Sequence, residues 1–233
     1  MIYVSSDWHG CDVQRIKELL ASVDFCDSDF LFVLGDVIDR GEAGVELLKW
    51  LMEQPNIELL LGNHEDMMLA CDWMFSEITD ESLAALDGVK LRRLANWQSN
   101  GADVTIDAMR HESPESREAI LEFLRDCPLY DEVEVGGRRF VLVHGGLGGF
   151  SPERALWDYT PRELLWERPM LDTEYSREWL TVLGHTPTRF YGEEYRGRIL
   201  RTATFVNVDV GVAYGQPPCL LRLDDMKEFY YKA

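Results

Sequence analysis

The chain has 233 residues, 46% of them hydrophobic and seven of them tryptophan, enough apolar surface for one sizeable core, so a single domain over 1–233 is expected. A formal net charge of −19, with no run of Lys or Arg, speaks against nucleic acid and anionic membrane as partners. Five scattered cysteines without a CxxC pair (Cys11, Cys26, Cys71, Cys127 and Cys219) exclude a disulfide framework or thiolate zinc site and read as reduced core residues.

The chain opens on "MIYVSSDWHG" with neither a basic nor an apolar leader, and no run of 18 apolar residues follows, so a soluble, cytoplasmic protein is expected. Short β-branched or aromatic runs then alternate with stretches of helical period, the pattern of an α/β fold. Residues 2–6 (IYVSS) read as a strand, and 12–23 as a helix with Val13, Ile16, Leu19, Leu20 and Val23 on one face. A strand at 30–34 (FLFVL) precedes a helix at 43–53, whose buried face is Val45, Leu48, Leu51 and Met52, and a strand at 57–61 (IELLL) follows. Helical crossovers between successive strands imply parallel pairing. Residues 65–127 are acidic and mostly helical, read as an insertion, and close on a helix that Ser113 caps and Pro114 starts. Gly136-Gly137 predicts a hairpin turn into the strand 140–143 (FVLV). Strands at 180–183 (LTVL), within "RILRTATFVNVDVG" and within "CLLRLDD" complete the pattern.

Five of these strands end in residues that ligate metals. The first delivers Asp7 and His9, the second Asp36 and Asp39, the third Asn63 and His64, the fourth His144 and the fifth His185. The carboxyl ends of strands in an α/β sheet are where loops converge on a ligand. Glycines 10, 35, 41, 62, 145 and 184 let the backbones close around a compact centre there. Taken singly, each residue has a plainer reading. Asn63 caps a helix, Asp36 and Asp39 form turns, and a lone His144 or His185 is a hydrogen-bonded core or loop residue. His111, away from any strand end, keeps the plain reading of an exposed loop residue. Four of five histidines at five strand ends favour metal over coincidence. Oxygen and imidazole donors without thiolate suit Mn, Fe or Zn, and the set is too large for one tetrahedral ion but fits two ions sharing a carboxylate. Such a pair suits phosphoester hydrolysis.

The motifs "SDWHG" (6–10), "GDVIDRG" (35–41), "GNHE" (62–65), "HGG" (144–146) and "GHTPT" (184–188) resemble the calcineurin-like metallophosphoesterases, in particular the phosphoprotein phosphatases and small phage and bacterial serine/threonine phosphatases. The resemblance implies a layered β-sandwich flanked by helices, with the helical insertion between. It implies that Asp7, His9 and Asp36 hold one ion, that Asp36, Asn63, His144 and His185 hold a second, and that Mn is the expected metal, with Fe or Zn as alternatives. It further implies that His64, oriented by Asp39, protonates the leaving oxygen, that Arg40 holds the phosphoryl group, and that water activated by the ions attacks in line without a covalent phosphoenzyme. Histidine suits that acid because its pKa lies near working pH.

Two positions depart from the family pattern. Ser6 stands where the motif has glycine, a small-for-small change expected to matter little, and Leu61 stands where the phosphoprotein phosphatases have a phosphate-binding arginine. Leucine cannot replace a bidentate guanidinium, and Arg168 in "LLWERP" is the candidate substitute, against a plainer reading as a surface residue. The expected substrate is a phosphomonoester, phosphoserine or phosphothreonine in proteins. The alternatives are a dinucleoside polyphosphate of the diadenosine tetraphosphate type and, outside enzymes, a non-catalytic scaffold that binds phosphorylated partners.

Overall fold

Alternating residues of the predicted strands bury themselves in different cores, and that alternation builds the fold of this computed structural model, which describes residues 1–77, 79–80 and 84–232. The first sheet holds β1 (Ile2–Ser5), β2 (Phe30–Val33) and β3 (Ile57–Leu59), all parallel as the crossovers require, with β9 (Cys219–Arg222) and β10 (Lys227–Tyr230) added antiparallel beside β1. The second sheet has the order β4 (Tyr130–Val135), β5 (Arg138–Val143), β6 (Leu180–Leu183), β8 (Phe205–Asn207), β7 (Leu200–Arg201). In it β5, β6 and β8 run parallel, and β4 and β7 are antiparallel edges.

Val4, Phe32 and Leu34 of the first sheet meet Phe140, Leu142, Val182 and Val206 of the second in the core between the sheets. The intervening residues point outward: Tyr3, Leu31 and Val33 under helices, Val141, Val143 and Phe205 into a third cluster. A strand buried on both faces must read as a continuous apolar run, which is why these segments show no polar alternation. The result is the expected α/β sandwich flanked by helices.

Helix α1 (Val13–Ala21) starts where the Asp12 carboxylate accepts from the Gln14 N–H at 2.9 Å, and it buries Val13, Ile16, Leu19 and Leu20. Burying each such side chain contributes roughly 1.5–3 kcal/mol. Helix α2 (Gly44–Met52) buries Val45, Leu48 and Leu51 as expected, but Met52 is exposed and Leu47 takes its place on the inner face. Between β3 and β4 lie α3 (Asn63–Leu69), α4 (Gly88–Ser99), α5 (Asp103–His111) and α6 (Pro114–Asp126), the helical insertion. Residues 78 and 81–83 of that stretch lie outside the described residues. A short α7 (Pro161–Leu165) follows β5.

Several local expectations hold in detail. Ser113 Oγ accepts from the Ser116 N–H with Pro114 opening α6, and Gly136 and Gly137 turn the β4–β5 hairpin with φ of +59° and +78°. Others are corrected. His111 is exposed but ends α5 rather than sitting in a loop, because the helical period runs on through Ile106 and Met109. The cysteines are free, yet only Cys71 and Cys219 are core residues; Cys26 is exposed in the α1–β2 connection. Strand β10 was not expected, since "KEFY" is too short and too charged to signal itself without β9 as a template. No helix among the described residues is long and apolar enough to cross a membrane.

Candidate active site

The loops after β1, β2, β3, β5 and β6 converge, and all eight candidate residues at the strand ends are at most 6% exposed. Asp36 stands at the centre. Its Oδ2 lies 3.7 Å from His9 Nε2 and 3.8 Å from His64 Nε2, while its Oδ1 lies 3.3 Å from His144 Nε2. Two groups of potential metal donors share it: His9, Asp36 and His64 on one side, Asp36, His144 and His185 on the other.

Hydrogen bonds around the cluster fix which atoms face inward. His9 Nδ1 donates to the Ile38 carbonyl at 3.1 Å and His144 Nδ1 to the Leu34 carbonyl at 2.6 Å, so both rings present an unprotonated Nε2 to the centre. Asp7 Oδ2 accepts from the Ser6 hydroxyl and from the His185 N–H, leaving Asp7 Oδ1 buried without a partner. His185 Nε2 is likewise a buried orphan. Asn63 Oδ1 lies 2.9 Å from His144 Nε2, two acceptors face to face, an arrangement that a shared cation or a reversed amide relieves. Buried orphan acceptors are costly in a folded protein, and here they point into one space with the chemistry of a cation site. The donor set therefore fits metal.

Burial lowers the pKa of His9 well below its ordinary value, helped by His64 and Arg40 nearby, and burial with His144 and Arg168 does the same to His185. Both directions favour the neutral ring, the form able to offer a nitrogen to a cation. Burial also opposes charge on His64, but Asp36 and the hydrogen bond to Asp39 outweigh it and raise that pKa. Asp36 is itself pushed upward, by burial first and then by Asp7 and Glu65.

His64 differs from the other rings in its partner: its Nδ1 lies 2.6 Å from Asp39 Oδ2. Arg40 reaches over the open side, Nη1 at 3.0 Å from His9 Nε2 and Nη2 at 3.2 Å from His64 Nε2. A guanidinium only donates, so both nitrogens accept from it. Asn63 is not a cap; Gly62 holds that position and Asn63 is the first helical residue of α3, which frees its side chain for the cluster.

Leu61 is buried at the end of β3, its N–H donating to the Pro128 carbonyl at 2.9 Å. Arg168 is brought to the rim of the site, with Nη1 3.2 Å from Thr186 Oγ1, next to His185. Ser6, expected to matter little, touches an Asp7 oxygen directly. Glu65 had been read only as part of a motif. It is fully buried and accepts from the N–H groups of Asp36, Val37 and Gly62 at 2.8, 2.8 and 3.1 Å, so that one carboxylate shapes the loop carrying the central aspartate. Its place in "GNHE" was the only signal. Asp209, in "NVDVG", is also buried beside the cluster, its pKa pushed up by burial and by Asp7.

Comparison with known proteins agrees with this geometry. The chain is 33% identical over 162 residues to a symmetrical bis(5'-nucleosyl)-tetraphosphatase of Chromobacterium violaceum, a match covering 66% of this chain and 57% of that protein, so it spans little more than half of that relative. It is 29% identical over 175 residues to serine/threonine-protein phosphatase 2 of Salmonella typhimurium, covering 73% of this chain and 69% of that one. A protein serine/threonine phosphatase structure from Saccharomyces cerevisiae shares the fold, with a TM-score of 0.54 at 15% identity, over 100% of this chain and 80% of that one. The family model for calcineurin-like phosphoesterases matches residues 1–215, and with its motifs gathered where strand ends of both sheets converge the chain belongs to that family.

Proposed function

We propose that this protein is a dinuclear metal-dependent phosphatase of phosphomonoesters, acting on phosphoserine or phosphothreonine in proteins. The observation that carries the reading is Asp36: its two oxygens face opposite donor groups, as a carboxylate shared by two ions would. Asp7, His9 and Asp36 would hold one ion and Asp36, Asn63, His144 and His185 the other, with Mn the expected metal. Ions bound there would neutralise phosphoryl charge and activate water.

The chain's own residues supply the rest. Distance alone would admit His64 to the first donor group, but Asp7 Oδ1 is free to complete that group, and His64 is the imidazole whose Nδ1 meets a carboxylate, Asp39, where those of His9 and His144 meet backbone carbonyls. His64 accordingly delivers a proton from Nε2 to the leaving oxygen, while Asp39 keeps Nδ1 occupied and the ring fixed. Arg40, once turned from the two imidazoles to the substrate, holds the phosphoryl oxygens through paired N–H groups, and Arg168 at the rim supplies the charge that Leu61 does not. Burial of the donors excludes water and strengthens each of these contacts.

A second reading, a hydrolase of dinucleoside polyphosphates, is favoured by the Chromobacterium relative and by a groove of about 470 Å³ beside the site. Arg168, Met170, Leu171, Phe190 and Tyr191 line it, a surface able to take a nucleobase. The deciding experiment re-supplies metal-stripped protein with Mn and follows a basic phosphothreonine peptide and diadenosine tetraphosphate in parallel at equal concentration. Faster turnover of the peptide supports the phosphatase; faster turnover of the dinucleotide replaces it with the second reading. Stoichiometric Mn binding with no turnover of these, of a phosphodiester or of a small phosphomonoester would leave the phospho-binding scaffold.

A further inference from the structure

The Asp39–His64 pair is held by residues of α4 and α5, helices of the insertion to which neither the motifs nor the proposed reaction gives a role. Trp97 of α4 donates its indole N–H to Asp39 Oδ2 at 2.8 Å, the same oxygen that meets His64 Nδ1 at 2.6 Å. Thr105 of α5 donates its hydroxyl to Asp39 Oδ1 at 2.6 Å and accepts from the Asp39 N–H at 3.0 Å. From the turn between those helices, the Gly101 carbonyl accepts from the Arg40 N–H at 3.0 Å. Asp39 and Arg40 are consecutive non-glycine residues at φ of +69° and +68°, a conformation that is unfavourable for a residue with a Cβ and persists only where neighbours enforce it.

The geometry points to Trp97 and Thr105 as positioning residues that fix the orientation and tautomer of His64 through Asp39. An indole N–H only donates, so Asp39 Oδ2 accepts from it, and the Thr105 hydroxyl makes Asp39 Oδ1 an acceptor as well. With both oxygens accepting, the proton between Asp39 and His64 belongs to His64 Nδ1. The exchangeable position is then Nε2, which faces Asp36 and Arg40 across the site. Trp97 cannot swing away from this duty: it is fully buried and packs edge-on against Phe75 with ring centroids 6.3 Å apart. Thr105 is 2% exposed. The insertion thus sets the geometry of the proton donor from behind, without touching the substrate space.

This inference rests on the proposed role of His64, and the test separates the two. Trp97→Phe keeps an aromatic side chain and deletes the N–H with the five-membered ring that carries it; Thr105→Val keeps the shape and deletes the hydroxyl; Thr105→Ser restores it. Manganese-loaded variants are compared on a phosphoserine peptide, whose alkoxide leaving group needs a proton, and on 4-nitrophenyl phosphate, whose leaving group hardly does. Trp97→Phe and Thr105→Val are each expected to lower kcat on the peptide by ~10-fold or more, the scale of lost supporting hydrogen bonds, with under about threefold loss on the aryl ester and unchanged manganese content. Thr105→Ser should recover most of the loss. Equal losses on both substrates, or none, would assign Trp97 and Thr105 to packing alone. If His64→Ala itself slows both substrates equally, the acid role of His64 fails, and this inference with it. A measurement independent of turnover is ¹⁵N NMR of the His64 ring: the parent should show the Nδ1–H tautomer and Thr105→Val a mixture, whereas an unchanged ring in both variants overturns the proposal.

Discussion

The two halves of the site are built differently. On the side of the first sheet, Asp7, His9, Asp36, Asp39 and Arg40 all adopt left-handed backbone conformations, and the groups bonded to the stretch around Asp36 and Asp39, namely Glu65, Trp97 and Thr105, are buried almost completely. On the side of the second sheet only His185 among the candidate residues is left-handed. The His144 loop is held instead by backbone contacts to α7, Gly145 N–H to the Leu164 carbonyl at 2.8 Å and Gly148 N–H to the Glu163 carbonyl at 3.0 Å. Its outer support is the half-exposed Arg154–Glu163 pair, Nη2 to Oε2 2.7 Å. The first half therefore stores strain behind a buried polar network, and the second rests on ordinary loops braced from the surface. Asp36 and the close approach of Gly35 to Gly62 and His144 join the two.

Removing the joint should have the largest effect. Asp36→Asn is expected to abolish binding of at least one of two ions and to lower kcat by ~10³-fold or more, since metal, water activation and charge neutralisation are lost together. Metal analysis of the purified variant alongside its kinetics checks this; retention of two ions with near-parent activity would dissolve the idea of a shared carboxylate.

The strain asymmetry can be probed with two glycines. At Gly35 (φ +84°) an added Cβ would lie 2.4 Å from the Gly62 Cα and 3.0 Å from His144 Nδ1, a backbone collision that cannot relax. At Gly149 (φ +64°), in the second half, it would meet nothing within 4 Å. Gly35→Ala should cost about 3 kcal/mol or more and Gly149→Ala about 1 kcal/mol, the latter from the left-handed conformation alone. Urea unfolding midpoints at constant slope compare them, and similar losses would mean the halves are equally tolerant.

Arg168 tests whether the rim of the second half contributes to phosphate binding. Losing one charged hydrogen-bonding partner at Arg168→Ala should lower kcat/KM by ~10- to 100-fold with little change in thermal stability. A variant as active as the parent returns Arg168 to its plain reading as a surface residue.

The smallest expected effect is electrostatic. Arg154 first, and then the Thr160 N–H and hydroxyl, hold the Glu163 carboxyl down to a pKa of about 2. Because the folded value lies below the unfolded one of about 4.3, the contribution of Glu163 is fully present above pH ~4.3 and fades as pH falls toward 2. A small difference in Tm between parent and Glu163→Gln should accordingly be constant from pH 6 to pH 5 and shrink below that. A difference that grows in acid would contradict the sign.

Much of this was readable from residue order. The strand ends at Asp7, Asp36, Asn63, His144 and His185 were visible because parallel strands buried on both faces leave a long apolar run that stops abruptly at a polar loop. Helix faces were legible where the period was clean, as in α1, and misread at Met52, where one step around the helix separates the core from solvent. What lay hidden were contacts between residues far apart in sequence. Trp97 reads as one more aromatic, Thr105 as one more threonine of the helical stretch, and Glu65 only as part of a motif, until folding brings them to Asp39 and to the Asp36 loop.

The sequence by itself determined the α/β alternation and the candidate donor residues, because hydrophobic period and the chemistry of side chains are local properties of the chain, while the layered sandwich and the family were legible through the resemblance of its motifs. Only the tertiary structure decided which nitrogen each histidine turns inward, that Asp36 is shared between two groups, and that the insertion braces Asp39. Those are matters of hydrogen-bond partners within about 3 Å, and partners 28 to 110 residues apart, such as Asp36 with His64 or Leu34 with His144, are chosen by packing rather than by any neighbour in sequence.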